Sequence, residues 1–151
     1  MANEVKAFLY MIRYCEGTAG PDGYRTMFGG KLFDSFKDHP RVLTTFKLKG
    51  TRYKSSAAGA YQFLQGTWDA LVRKNGYKDF SPETQDDAAI ELIKGRKAYD
   101  DILKGDIVTA IKKCNREWAS LPGSPYGQPV KKMEECLAVY AKKLGELNGT
   151  A

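Results

Sequence analysis

The chain of 151 residues has one histidine, His39, and three cysteines, Cys15, Cys114 and Cys136. A single histidine excludes the HExxH metal motif and leaves few ways to build a histidine-rich metal cage. His39 is also the sole histidine for a serine or cysteine triad, but it sits in KDHPR, ahead of a proline, and the sequence has no GxSxG elbow. It is read as a loop or packing residue. The cysteines are odd in number and lack CxxC spacing, which argues against a disulfide framework and a zinc knuckle and predicts buried, reduced thiols. No apolar run approaches the roughly 18 residues of a membrane span. The charged start MANEVKAFLYMIRYCEG lacks the long h-region of a signal peptide, and repeats, linkers and low-complexity segments are missing too. These absences predict one globular domain made and kept in the cytoplasm. Any enzymatic chemistry is expected to rest on carboxylates.

The composition that is present agrees with this. A hydrophobic share of 42% beside 28% charged residues describes a globular chain rather than a disordered one. The net charge of +6 predicts an anionic partner, whether nucleic acid, membrane surface or acidic polymer. Because the charge is spread along the chain, it points only weakly to a polyanion groove.

Residues 3–15 have helical periodicity, with Val5, Phe8, Leu9 and Ile12 on one face. Glu16 continues that line four residues after Ile12, and Gly17 is a natural helix stop. A carboxyl group is thereby placed at the C-terminal end of a buried stripe. Desolvation and the negative end of the helix dipole both disfavour its charged form. Against this stands the plainer reading that most glutamates at helix ends are surface charges.

Beyond Gly17, residues 17–40 are rich in Gly, Pro and Asp and read as loop. VLTTF, TRY and AYQF within 41–64 predict a small β-ribbon, and KGTRYKSSAAGA (49–60) a mobile loop. Thr67 is a candidate cap for a short helix through Lys74, and Ser81-Pro82 starts a helix to about 94 with Ala89, Leu92 and Ile93 inward. A helix over Tyr99–Leu103 follows. Asp106 caps a further helix with Ile107, Ile111, Cys114 and Trp118 in one stripe. LPGSPYGQP (121–129) is a loop, and Val130, Met133, Leu137, Tyr140 and Leu144 mark a long amphipathic helix. The fold class is α+β, mainly helical with a small sheet. It reads as a single domain over 1–151, with a β-containing lobe at roughly 17–65, a helical lobe from 1–16 and 66–151, and a substrate groove expected between the lobes.

Glycoside hydrolysis commonly uses two carboxylates. Asp22, Asp34, Asp38 and Asp69 are candidates for the second by residue type alone, each in a context that suits a solvated acid better. One well-placed acid suffices if the substrate supplies the nucleophile. Tyr24, Tyr61, Trp68 and Tyr126 lie in or beside loops, where rings can stack on sugars. For Trp68, a core position is the strong competing reading. Gln62 is a candidate hydrogen-bonding partner for an acetamido group or a hydroxyl, or simply an alternate-face strand residue.

Five separated motifs, KAFLYMIRYCEGT, GGKLFDSFKDHPR, AGAYQF with Trp68 following, KDFSPETQD and WASLPGSPYGQ, resemble the lambda-type phage endolysins. These are lytic transglycosylases with a lysozyme-like fold, and the resemblance runs in order from about Lys6 to Lys143. It implies that Glu16 is the essential acid and that Tyr61 and Gln62 contact the saccharide. It further implies that the PGSPYGQ loop, with Tyr126 and Gln128, and the basic loop near 49–58 flank the groove. Cys15 before the acid and Ala60 in the turn depart from the expected pattern, which bears on fine substrate preference. The implied reaction is non-hydrolytic cleavage of the bond between N-acetylmuramic acid and N-acetylglucosamine, ending in a 1,6-anhydromuramoyl product, with no metal and no cofactor. The implied partner is the peptidoglycan glycan strand, met by a monomer with no membrane anchor and no nucleic acid. The implied route is from the host cytoplasm to the wall through a holin-type pore. Two readings stay beside it: a hydrolytic muramidase of the same fold, and a non-catalytic binder of cell wall or nucleic acid.

Overall fold

The computed structural model describes residues 1–150. In order the elements are α1 (Asn3–Glu16), a 3-10 turn (Gly23–Arg25), β1 (Thr44–Leu48), β2 (Thr51–Ser55), α2 (Gln65–Asn75), α3 (Pro82–Gly95), α4 (Tyr99–Leu103), α5 (Ile107–Cys114) and α6 (Met133–Asn148). Two compact units are formed: Met1–Gly17 with the chain from Ala89 onward, and Thr18–Ala88. The boundary falls inside α3. Among the described residues, no helix is long and apolar enough to cross a membrane.

In the first unit, α1 is buried on more than the expected stripe. Val5, Ala7, Phe8, Met11 and Ile12 are fully covered, with Leu9 and Cys15 nearly so. Each large apolar side chain so buried contributes about 1.5–3 kcal/mol, so this helix organises its unit. It packs against α6 and α4. Gly17 ends it in the left-handed region at φ 78°, its N–H donating back to the carbonyls of Arg13 and Tyr14. A side chain at that φ is strained, so the glycine fixes where the helix stops and hence where Glu16 sits. Asp106 caps α5 as expected, accepting from the Thr109 N–H at 3.3 Å. Trp118 is buried but lies four residues beyond the end of α5, held by the turn that follows rather than by the helical stripe. Helix α6 starts at Met133, so Val130 falls outside it and is 47% exposed; the fully covered positions are Cys136 and, nearly, Tyr140.

In the second unit, β1 and β2 form an antiparallel hairpin paired from Thr44 with Ser55 to Leu48 with Thr51. Lys49 and Gly50 at the tip both have positive φ, the requirement of a type I′ turn. TRY therefore lies in a strand, as the ribbon reading expects, while the reading of 49–60 as a mobile loop fails over Thr51–Ser55. AYQF is not one: Ala58 and Phe63 form an isolated antiparallel bridge, and Gly59–Gln62 is the turn between them. Nor does Thr67 cap α2, which begins at Gln65 with Leu64 at the cap position. The core of the unit is aromatic, with Phe80 at its centre: its ring centroid lies 4.6 Å from Trp68, 5.2 Å from His39, 5.8 Å from Phe33 and 6.2 Å from Phe63. His39 is 2% exposed. Its Nδ1 accepts from the Arg41 N–H at 3.0 Å, which leaves Nε2–H to donate to the Phe63 carbonyl at 2.8 Å. Burial pushes its pKa down, and the ring is a neutral packing group.

Candidate active site

Glu16 is the last residue of α1 and is partly buried. Ser120, from the turn after Trp118, donates its hydroxyl to Glu16 Oε2, and its backbone N–H also bonds the carboxylate. Burial raises the Glu16 pKa, while the two Ser120 bonds pull it down; burial is the larger effect and the pKa lies above the ordinary carboxylate value. Such a group holds its proton to a higher pH than an ordinary carboxyl, yet its conjugate base meets two ready donors. That is the electrostatics of a group able to act first as acid and then as base.

Ser120 is itself tied in place. Its carbonyl accepts from the Lys131 N–H at 2.8 Å, and Lys131 Nζ lies 5.5 Å from the ring centre of Tyr14. The Tyr14 hydroxyl donates to Glu135 at the start of α6. The loop between Ser120 and Lys131 carries Tyr126 and Gln128. Asn115 Nδ2 donates to the Pro122 carbonyl at 3.2 Å, and the half-exposed Tyr126 donates its hydroxyl to the Arg116 carbonyl at 2.6 Å. Gln128 is partly exposed. Ser120 was not singled out from the sequence. It lies 104 residues from Glu16, and its only local signal is its place between the buried Trp118 and Leu121.

Tyr24, Tyr61 and Gln62 gather in the other unit, around the Gly59–Gln62 turn. Both tyrosine hydroxyls donate to one oxygen, Asp86 Oδ1, at 2.7 and 2.6 Å. Gln85, fully buried, accepts the Ala60 N–H at 2.9 Å and donates to the Phe80 and Tyr24 carbonyls at 2.8 and 3.1 Å. Gly59 has φ 83°, and a Cβ there would come within 2.3 Å of Gln85 Oε1, so only glycine lets the turn approach this side chain. Gln62, at φ 50°, donates its amide to the Gly59 and Thr26 carbonyls at 2.8 and 3.0 Å. The SPETQD motif thus places Gln85 and Asp86 on the early turns of α3, where they fasten the turn. Neither residue was picked out from the sequence.

Two expectations need correction. Tyr61 and Trp68 are each 1% exposed. Trp68 stacks on Tyr77 at 5.6 Å and meets Phe80 edge-on, and Tyr61 meets Tyr24 and Phe63 edge-on. Neither ring has a face open for stacking on a sugar. For Trp68 the competing core reading is the one observed. The candidate second acids are engaged elsewhere: Arg41 holds Asp38 at 2.9 Å and Asp69 at 2.7 Å, and it keeps both pKa values below the usual carboxylate range. Asp22 and Asp34 are exposed.

Comparison with known proteins places this geometry in a family. An endolysin family model matches residues 6–147. The endolysin of Escherichia phage lambda is 44% identical, with 98% of this chain and 93% of that protein covered. The endolysin of Escherichia phage P2 is 39% identical, with 90% of each covered. Among solved structures, bacteriophage lambda lysozyme complexed with a chitohexasaccharide superposes with a TM-score of 0.88 at 42% identity over 95% of both chains. A second structure of lysozyme from bacteriophage lambda gives 0.82 at 41% identity, covering 100% of this chain and 97% of that one. With a family model over nearly its whole length and a lysozyme-like fold at this identity, the chain belongs to the endolysin family.

Proposed function

We propose that this protein degrades peptidoglycan and that Glu16 is its acid. The reaction is non-hydrolytic cleavage of the bond between N-acetylmuramic acid and N-acetylglucosamine. The observation that carries the reading is one carboxyl group with a raised pKa, met by two donors from Ser120. Glu16 protonates the glycosidic oxygen as the bond to C1 breaks. The muramic acid 6-hydroxyl then attacks C1 and returns its proton to the Glu16 carboxylate, leaving a 1,6-anhydro ring. No water enters, and a second carboxylate has no task to perform. Ser120 stabilises the carboxylate between the two proton transfers. The partly exposed Gln62 and Gln128 and the half-exposed Tyr126 are the proposed glycan contacts, and Tyr24 is a further one. Tyr61 and Trp68 contribute by supporting the turn that carries Gln62. The chitohexasaccharide bound to the related lambda lysozyme supports a glycan substrate. The protein acts as a monomer on the wall, reached from the host cytoplasm through a holin-type pore.

Mass spectrometry of digested peptidoglycan tests activity and reaction type together. Anhydromuramoyl ends are expected; ends heavier by one water, reducible by borohydride, would make the enzyme a hydrolytic muramidase. Glu16→Gln is expected to lower the rate by about 10²–10⁴-fold while leaving glycan binding measurable. A variant as active as the parent removes Glu16 from the chemistry, and a parent that binds the wall without cleaving it is a binder.

A further inference from the structure

The sequence predicts buried, reduced thiols, and the structure brings two of them together. Cys15, next to Glu16 on α1, and Cys136, on the first turn of α6, lie with their sulfurs 3.4 Å apart inside the first unit. All three cysteines are free and buried. We propose that Cys15 and Cys136 are a dithiol pair that a small disulfide oxidant converts to a disulfide, joining the Glu16 end of α1 covalently to α6.

The surrounding contacts already hold the two helices in register. Next to the cysteines in sequence, the Tyr14 hydroxyl donates to Glu135, and Lys131 lies over the Tyr14 ring. Ser120 further links the Lys131 N–H to Glu16. Closing the sulfurs from contact to a bond shortens their separation by about 1.4 Å, within reach of side-chain rotation and a small helix adjustment. Both thiols are buried, Cys15 at 6% exposure and Cys136 fully covered, and one of the pair reacts first as the structure opens locally. Its thiolate attacks one sulfur of the oxidant, forming a mixed disulfide and releasing one thiol. The other cysteine then loses its proton and attacks the cysteine sulfur of the mixed disulfide, displacing the second thiol. Two protons and two electrons pass from the pair to the oxidant, whose disulfide is reduced to two thiols. An oxidising compartment favours the bonded form. Because the bridge spans 121 positions of sequence, it removes much entropy from the unfolded chain.

The test uses the full chain, fully reduced and then held with oxidised glutathione at neutral pH below its melting temperature. Alkylation in denaturant and intact-mass analysis follow. The expected product is lighter than the reduced protein by about 2 Da before alkylation. It then takes up one alkyl group, at Cys114, and gives a peptide linking Cys15 to Cys136. Its melting temperature should rise by about 10 °C and return on treatment with dithiothreitol. Three alkylatable thiols, glutathione adducts alone, or a link through Cys114 each overturn the proposal. Cys15→Ser, a near-isosteric change, should neither cross-link nor gain stability; a melting temperature that still rises with oxidant in this variant also overturns it. None of these readouts depends on the glycan chemistry of Glu16.

Discussion

At the scale of single residues, the balance between burial and Ser120 decides what Glu16 does. The Ser120 hydroxyl bonds the charged form, so it lowers a pKa that burial raises. Removing it in Ser120→Ala leaves the backbone N–H in place and pushes the Glu16 pKa further up. An acid works while protonated, so activity is lost as pH rises through its pKa. The alkaline limb of the lysis profile should therefore move to higher pH in Ser120→Ala, with the maximal rate down by about tenfold because the carboxylate is less well stabilised. A profile unchanged in position would show that the hydroxyl does not tune the acid. The position of Glu16 on α1 was legible in the sequence because helical spacing and a glycine stop are local signals. Ser120 was not, because no local pattern says which hydroxyl will arrive from a turn 104 residues away.

At the scale of elements, α3 does more than the apolar pattern of Ala89 and Ile93 suggested. Its early turns present Gln85 and Asp86, which hold the Gly59–Gln62 turn by two hydrogen bonds, from the Ala60 N–H and the Tyr61 hydroxyl, and hold Tyr24 by two more, through its carbonyl and its hydroxyl. Replacing Gln85 by Leu keeps the volume but leaves the Ala60 N–H and two carbonyls buried without partners. The expected cost is about 3 kcal/mol or more, measured by denaturant unfolding; a loss under about 0.5 kcal/mol would mean that those groups find partners elsewhere. Period-based reading predicted the ribbon yet misassigned its parts. TRY reads as ribbon and lies in β2, although its glycine-rich surroundings also give 49–60 the pattern of a loop. AYQF looks strand-like, although Gly59 and the left-handed Gln62 make it a turn. Likewise Trp68 and Tyr61, placed by sequence beside loops, are drawn into the aromatic core around Phe80.

At the scale of the whole molecule, the net charge of +6 is a long-range property that no single contact carries. If it recruits the enzyme to an anionic wall, the rate on whole peptidoglycan should fall several-fold between about 10 and about 200 mM salt, as the Debye length shrinks from about 30 to below 10 Å. Binding of an uncharged chito-oligosaccharide should change little over the same range. Equal salt dependence for both would place the effect within the glycan contacts themselves.

The sequence by itself determined the helical framework, the carboxyl at the end of a buried stripe and, through motifs in order along the chain, the family. Each of these is written in periodicity, in capping residues or in a linear pattern. Tertiary structure alone decided which groups surround those residues: Ser120 on Glu16, Gln85 and Asp86 under the Gly59–Gln62 turn, and Cys136 against Cys15. These pairings are between residues from 25 to 121 positions apart. They arise only when buried polar groups must find partners in a folded interior, and one-dimensional spacing does not encode that requirement.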